Sequence, residues 1–202
     1  QINITVHYGS GTDSNYDIYL NSHSQTDFDD IRFALSDGTL LSYWREEYTD
    51  SDYAIFWFKV PSISASGAVE IYVYYGNPDA VYNGDGEQVF ELFDDFEDGV
   101  IDSSKWSFQG LVSYEETGGA LVLEANTYTW DDYDTGAHAS LSQELSGYHV
   151  YVDAEWVERS SDMAEIFLDL KSSTGHIARC GMKDAWSGYS GEKNAWAEGG
   201  ES

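Results

Sequence analysis

The sequence has one cysteine, two prolines and nine basic residues. The shortages of cysteine and of basic residues each exclude particular classes of protein or partner. Its 202 residues include one cysteine, Cys180, which excludes a disulfide framework and a thiolate metal cluster within the chain. No run of about 18 apolar residues is present, so no helix is predicted to span a membrane. The chain opens on Gln1 without a basic and apolar targeting stretch, as expected of a mature or trimmed secreted protein.

The charge is strongly one-sided. Nine Lys and Arg residues stand against 37 Asp and Glu residues, which gives a formal net charge of −28. Such a surface repels phosphates, so we expect no nucleic acid partner and no binding to an anionic membrane. Salt screens the self-repulsion, so we expect stability to rise with ionic strength. The hydrophobic content of 42% is still sufficient for a folded core.

Short runs of Val, Ile, Tyr, Phe and Trp alternate with polar residues, which predicts an all-β protein. Residues 53–60 end at Pro61, and residues 68–75 end at Gly76; the short link between them is of hairpin length. No capped helix longer than two turns is predicted. The fold class predicted is an antiparallel β-sandwich of jelly-roll type. Other predicted strands are residues 2–7, 16–20, 31–34, 40–44, 111–114, 120–124, 148–156, 164–170 and 176–181.

The composition of the sequence changes near residue 90, where an aromatic segment is followed directly by an acidic turn at residues 94–99. This change predicts two packed β-domains, residues 1–92 and residues 93–202.

Four motifs occur in order in the first half: residues 29–33 (DDIRF), 36–44 (SDGTLLSYW), 57–61 (WFKVP) and 71–78 (IYVYYGNP). Together they resemble the domain-of-unknown-function 2341 family over about residues 1–93. The resemblance implies a secreted or surface-anchored archaeal or bacterial protein, of a kind often found beside sugar-active or adhesive modules. The family's own activity is unsettled.

Residues 93–106 (FDDFEDGVIDSSKW) resemble the opening of a concanavalin A-like jelly-roll domain of the laminin-G and laminarinase superfamily. Such a domain usually needs more strands than the residues after Phe93 hold. This shortage indicates a truncated second domain. Either another chain supplies the missing strands, or the order of strands here departs from that of the family.

The superfamily includes glycoside hydrolases, whose paired carboxylates alternate on one strand in the pattern ExDxxE. The nearest pattern here runs from Asp153 through Glu155 to Glu158. Its order differs, and Glu158 falls on the opposite face of a strand. We therefore predict no catalytic residues and no organic cofactor, and keep a glycoside hydrolase as the least favoured alternative.

Acidic loops favour calcium, because hard cations prefer several carboxylate and carbonyl oxygens. Related domains often hold a structural ion at the start of the jelly roll, so the first predicted site comprises Asp94, Asp95, Glu97 and Asp98. The competing interpretation is that each cluster is a solvated acidic turn. The second choice comprises Asp132 and Asp134 beside Asp131, and weaker candidates are Asn83 with Asp85 and Asp50 with Asp52.

Aromatic residues in polar loops favour carbohydrate, because sugar rings stack on Trp and Tyr while carboxylates bind their hydroxyls. The predicted platform is Trp130 with Tyr128, Asp131 and Tyr133; the alternative is that Trp130 is a packing residue. A second cluster comprises Trp186, Tyr189 and Trp196, whereas Trp44, Trp57, Trp106 and Trp156 are predicted in the core.

The sequence thus predicts a non-catalytic extracellular or cell-surface recognition module that binds a polysaccharide or a cell-surface glycan. The alternative is a structural subunit of a filament, sheath or surface layer, which binds copies of itself through strand exchange and calcium. Asn3, in the sequon Asn3-Ile4-Thr5, is a predicted glycosylation site. Cys180 is predicted to be a small buried hydrophobic residue.

Overall fold

The computed structural model describes residues 1–111, 113–124, 138–141, 165–172, 175–184 and 193–199. These residues divide between two compact units, Gln1–Ser142 and Gln143–Ser202. The boundary predicted between residues 92 and 93 stays a prediction. The elements of the described residues are β1 (Ile2–His7), β2 (Asp17–Tyr19), β3 (Arg32–Leu35), β4 (Tyr43–Thr49), β5 (Tyr53–Phe58), β6 (Ile71–Tyr74), α1 (Gly86–Val89), β7 (Trp106–Gln109), β8 (Ser113–Thr117), β9 (Ala120–Glu124), β10 (His138–Leu141), β11 (Glu165–Ser172), β12 (Gly175–Asp184) and β13 (Lys193–Gly199).

The first unit is built on a β-sandwich. One layer is a four-stranded sheet in the order β2-β1-β5-β4, and the other is the antiparallel pair β3 and β6. Pairing in the larger sheet is antiparallel except between β1 and β2, which run parallel over a three-residue register. The all-β sandwich predicted from the alternation of the sequence is therefore confirmed.

The core lies between these two layers. In β5, Ala54, Phe56 and Phe58 are buried, and the residues between them lie on the opposite face. Phe33 of β3 packs across the layers, with its ring centroid 4.7 Å from that of Phe58 and 5.6 Å from that of Phe56. Each buried aromatic ring stabilises the fold by about 2 kcal/mol.

A second apolar layer covers the outer face of the four-stranded sheet. Trp44 and Trp57 are half-buried there beneath Phe90 and Phe93, with the Trp44 and Phe93 ring centroids 4.7 Å apart. A Cβ atom at Gly86 would overlap the Phe93 ring, so only glycine lets the ring lie this close to α1. Trp44 and Trp57 thus pack in this outer layer rather than in the central core.

The remaining described strands pair locally. In the first unit, β7 pairs with β10, and β8 and β9 form a hairpin around Gly118 and Gly119, both at positive φ. The second unit contains the antiparallel sheet β11-β12-β13. No helix of the described residues is long and apolar enough to cross a membrane. Cys180 lies in β12, where the sequence predicts a strand.

Two expectations about the strands need correction. The link between β5 and β6 is not a hairpin, because β5 pairs with β1 and β4 whereas β6 pairs with β3 in the other layer. The strand predicted at residues 40–44 begins instead at Tyr43, and Leu40 makes only an isolated bridge to Ala34. Beyond Trp44 the strand continues through the charged residues Arg45, Glu46 and Glu47. Because such a charged run is not typical of a strand, the sequence did not predict that β4 extends to Thr49. The strand predicted at residues 148–156 lies outside the described residues.

Candidate functional site

Several predicted site residues lie outside the part of the chain that the structure describes. They are the aromatic platform Tyr128, Trp130, Asp131 and Tyr133, the second-choice calcium ligands Asp132 and Asp134, and the carboxylates Asp153, Glu155 and Glu158.

The first predicted calcium cluster is described, and its carboxylates shape the turn that they occupy. Asp94 Oδ2 accepts a 2.7 Å hydrogen bond from Trp106 Nε1, which ties the turn to β7. Asp95 Oδ1 accepts from the backbone N–H of Glu97 at 3.4 Å, and Asp98 Oδ1 accepts from that of Val100 at 2.8 Å. These are the short-range side-chain to backbone bonds typical of Asp in turns.

The turn borders a cavity of about 320 Å³, which we call the acidic hollow. Lys105 is the basic side chain in the lining of this hollow. Its Nζ donates to the Glu87 carboxylate and, at 2.8 Å, to the carbonyl oxygen of Phe93. Partial burial opposes the charge on Lys105, but the hydrogen bond to Glu87 and the surrounding carboxylates outweigh it and raise the pKa of Lys105. The hollow is lined by Glu87, Phe93, Asp94, Asp95, Asp98, Val100, Asp102 and Lys105.

A carboxylate from β8 also reaches this turn. Glu116 Oε1 accepts a 3.1 Å hydrogen bond from the backbone N–H of Gly99. Partial burial and a hydrogen bond with Asp98 raise the pKa of Glu116. Sequence reasoning missed Glu116, because only the β8–β9 hairpin brings it to the turn. Among the described residues no group of three or more His, Cys, Asp or Glu side chains is arranged to hold a metal ion, and the calcium site at Asp94, Asp95, Glu97 and Asp98 stays a prediction.

Asp29 and Asp30, from the motif at residues 29–33, make a set of hydrogen bonds and an ion pair that we call the Asp29–Asp30 network. Asp30 is 3% exposed and accepts hydrogen bonds from the backbone N–H groups of Gln25 and Gly76. Asp29 Oδ1 lies 2.9 Å from Arg45 Nη1. The Arg45 guanidinium carbon is 3.9 Å from the Tyr48 ring centroid and 4.4 Å from that of Tyr82, so two aromatic faces hold this cation.

Arg32, from the same motif, is bound by backbone carbonyl groups. Its Nη1 donates to the carbonyl oxygens of Asp29 and Ile31 at 2.8 and 2.7 Å, and its Nη2 donates to that of Val81 at 2.7 Å. These bonds fasten the segment after β6 to the start of β3. Sequence reasoning placed Arg32 in a family motif but assigned it no role.

Arg32 also lines a second cavity, of about 220 Å³, which we call the polar hollow. Tyr43 also lines this cavity, and its hydroxyl donates a 2.7 Å hydrogen bond to Asn83 Oδ1. Burial raises the pKa of Tyr43, so the phenol remains a donor at neutral pH. The lining residues are Arg32, Phe33, Leu40, Leu41, Ser42, Tyr43, Asn83, Asp85 and Gln88.

Tyrosines line the outer face and end of β6. Tyr72 is 43% exposed and Tyr74 is 53% exposed, while Ile71 and Val73 between them pack against the core. Tyr75, also exposed, follows directly. We call Tyr72, Tyr74 and Tyr75 the tyrosine row. The register of β3 with β6 sets Arg32 opposite Tyr74.

Residues 27–109 match the family described as Domain of unknown function (DUF2341). The match confirms the resemblance of the first half that the four motifs indicate. No curated protein and no solved structure matches the chain. The concanavalin A-like resemblance of the second half stays a prediction.

The segment that matches DUF2341 contains both hollows, the tyrosine row and the Asp29–Asp30 network apart from Gln25. It also extends past Phe93 to Gln109, and thus includes the acidic turn and β7. The predicted glycosylation site, Asn3, precedes the segment and is exposed on β1, opposite Trp57.

Proposed function

We propose that this chain is a non-catalytic recognition module of the extracellular or cell-surface compartment of an archaeon or bacterium, and that it binds carbohydrate. The observation that carries this proposal is the tyrosine row on β6. Sugar rings present C–H faces that stack on aromatic rings, and phenol hydroxyl groups can bind the sugar hydroxyls at the same time.

The tyrosine row is not required to fill the core. Ile71 and Val73 already supply the inward side chains of β6, so the rings of Tyr72 and Tyr74 face solvent. Side chains two residues apart on one face of a strand are about 7 Å apart, so an oligosaccharide can contact both rings.

Tyr72 is also held in position. Its hydroxyl donates a 2.9 Å hydrogen bond to Glu70 Oε2. This hydrogen bond, together with the negative charge of Glu70, raises the pKa of Tyr72, so the phenol stays neutral. A fixed neutral ring loses less conformational entropy when a ligand stacks on it.

The net charge of −28 restricts the ligand. A long polyanionic polysaccharide would be repelled, because the repulsion adds up over many charges. The proposed partner is therefore a polysaccharide or cell-surface glycan that is neutral or carries isolated charges. The loop with Tyr128, Trp130, Asp131 and Tyr133 belongs to the same proposal as a second platform, on a domain of concanavalin A-like type.

Affinity electrophoresis through gels that contain neutral polysaccharides tests this function. The Tyr72→Ala and Tyr74→Ala variants should each lose about tenfold in affinity, because one stacked ring contributes roughly 1.4 kcal/mol. Tyr16→Ala is the control, since Tyr16 is an exposed tyrosine away from β6. Unchanged affinity in both β6 variants would remove the tyrosine row from the binding site.

A second candidate function is assembly into a filament, sheath or surface layer. Among the described residues β6 pairs on one side only, with β3, so its other edge is available to a strand from another copy of the chain. In this alternative, calcium at the acidic turn strengthens the assembly.

Size-exclusion chromatography and electron microscopy, each with EDTA and with millimolar calcium, distinguish the two functions. A monomer under both conditions would contradict assembly. Oligomers that Val73→Pro abolishes would support it, because proline cannot donate the hydrogen bond that an added strand needs. Circular dichroism of this variant checks that the sandwich still folds.

A further inference from the structure

Arg32 is unusual among the cations of this chain. Of the lysine and arginine side chains that the structure describes, Arg45, Lys59 and Lys105 each lie within 4.0 Å of a carboxylate oxygen, and Arg32 does not. The chain has about four acidic residues for each basic one, so an arginine without an acidic partner is unexpected. The Arg32 charge is available for an anionic group from outside the chain.

Arg32 also has donors to spare. A guanidinium carries five N–H groups, and Arg32 donates three of them to the carbonyl oxygens of Asp29, Ile31 and Val81. One N–H on Nε and one on Nη2 remain. Two donors of one guanidinium match the two oxygens of a carboxylate, which is the strongest pairing that arginine makes. The three hydrogen bonds to carbonyl oxygens fix the plane of the Arg32 guanidinium before a ligand binds.

The rest of the polar hollow offers partners for hydroxyl groups. Asn83 Oδ1 is occupied by the Tyr43 hydroxyl, while its Nδ2 makes no hydrogen bond within the described part of the chain. Gln88 donates to Asp85 at 2.7 Å, which leaves its carbonyl oxygen as an acceptor. Leu40, which is 66% exposed, supplies an apolar wall. Donors, acceptors and an apolar wall together are what a sugar ring requires.

We propose that the polar hollow binds a uronic acid residue, with its carboxylate on Arg32 and its hydroxyl groups on Asn83 and Gln88. The cavity of about 220 Å³ accommodates one sugar ring rather than several. This inference rests on the proposed function, because it names the sugar class that one subsite of a carbohydrate-binding module takes.

The net negative charge does not oppose a single uronate. At physiological ionic strength the Debye length is about 8 Å, so distant carboxylates are largely screened. Within the hollow, Asp85 keeps its negative charge, but its oxygens accept from the backbone N–H of Glu87 and from Gln88 Nε2, and the uronate carboxylate is placed on Arg32 instead. A polymer of uronates would still be repelled. The ligand is thus a glycan in which uronic acid is terminal or alternates with neutral sugars.

An NMR titration of the full chain with glucuronic acid tests the proposal. Glucose, which lacks the carboxylate, and acetate, which lacks the sugar ring and its hydroxyl groups, are the comparison probes. Glucuronic acid should bind at least about tenfold more tightly than either, because only it presents the carboxylate and the hydroxyl groups together. Acetate binding as tight as glucuronic acid would overturn the sugar class, and glucose binding as tight would overturn the role of Arg32.

The Asn83→Asp variant locates the binding site. It keeps the oxygen that Tyr43 donates to, so the fold is retained, but it adds a negative charge and removes the Nδ2 donors. Glucuronic acid affinity should fall about tenfold or more. Asn3→Asp is the matched control, because it makes the same chemical change on exposed β1 and should leave affinity unchanged. Equal affinities in the two variants would overturn the proposal.

The Arg32→Lys variant separates charge from geometry. Lysine keeps the positive charge but loses the fork, so glucuronic acid affinity should fall several-fold, with folding checked by the thermal midpoint. Binding of neutral oligosaccharides to the tyrosine row should be unaffected by Asn83→Asp. If neutral oligosaccharides bind and glucuronic acid does not, this inference fails and the carbohydrate function stands; if no glycan binds, both fail.

Discussion

The Asp30 carboxylate accepts a hydrogen bond from the backbone N–H of Gly76, 46 residues further along the chain. It thereby joins the segment before β3 to the turn after β6. Gly76 has a φ of +93°, a conformation that favours glycine. Glycine at this position therefore allows the turn conformation in which the N–H of residue 76 donates to the Asp30 carboxylate.

Asp30→Asn should destabilise the fold by about 1–3 kcal/mol, because the buried side chain would turn an amide donor towards one of the two backbone N–H groups, of Gln25 and Gly76, that the carboxylate accepts from. Urea unfolding measures the loss. Asp50→Asn is the control, since Asp50 is exposed in a turn and should change stability by less than about 0.5 kcal/mol. Equal unfolding midpoints for the two variants would show that Asp30 carries no such role.

Phe93→Ala should weaken the outer apolar layer. The Phe93 ring packs against Trp44 and Gly86, so its loss should cost about 1–2 kcal/mol for this half-buried side chain. It should also move the tryptophan fluorescence to longer wavelength as Trp44 meets water. Val81→Ala, at an exposed position, should change neither property. An unchanged spectrum in Phe93→Ala would contradict the packing of residue 93 on the four-stranded sheet.

Glu116→Gln should raise the thermal midpoint at neutral pH. Because partial burial and Asp98 raise the pKa of Glu116, ionisation of this group destabilises the folded state as pH rises through that pKa. The gain should vanish below the ordinary pKa of glutamate, where the carboxyl group is protonated in the folded and the unfolded chain. Melting curves across this pH range check the sign. Glu115→Gln, on the exposed face of β8, should show no such gain.

Calcium should raise the thermal midpoint if the acidic turn is a metal site. Millimolar calcium at about 100 times its dissociation constant would add about 2.7 kcal/mol, or roughly 5 °C or more, relative to EDTA. Asp95→Asn and Asp98→Asn should reduce this shift, and Asp79→Asn, at an exposed position outside every predicted calcium cluster, should not. Equal midpoints with EDTA and calcium would leave the acidic turn as solvated surface held together by Lys105.

Strands could be predicted from short runs of β-branched and aromatic residues between turn residues, and in β5 the burial alternates with a period of two. Residues 53–58 show the pattern without interruption, and β1 and β9 have the predicted bounds. The pairing of β6 with β3 could not be predicted, because a short link suggests a hairpin and only the packing of Ile71 and Val73 on the core shows the crossing to the other layer.

The candidate sites were predictable only in part. The acidic turn could be singled out because its four carboxylates lie within five residues and because related domains often hold an ion at this position. The contributions of Lys105 and Glu116 depend on chain reversals that bring them to the turn. The free donors of Arg32 were beyond sequence reasoning, because they depend on which carbonyl groups occupy its other N–H groups.

The most direct test of carbohydrate recognition is a glycan array probed with the full wild-type chain, followed by titration of each hit against Tyr74→Ala. Binding to a defined set of glycans, weakened about tenfold by Tyr74→Ala and unaffected by Tyr16→Ala, is the predicted result. No binding to any glycan on the array would contradict the proposed function and leave assembly as the remaining candidate.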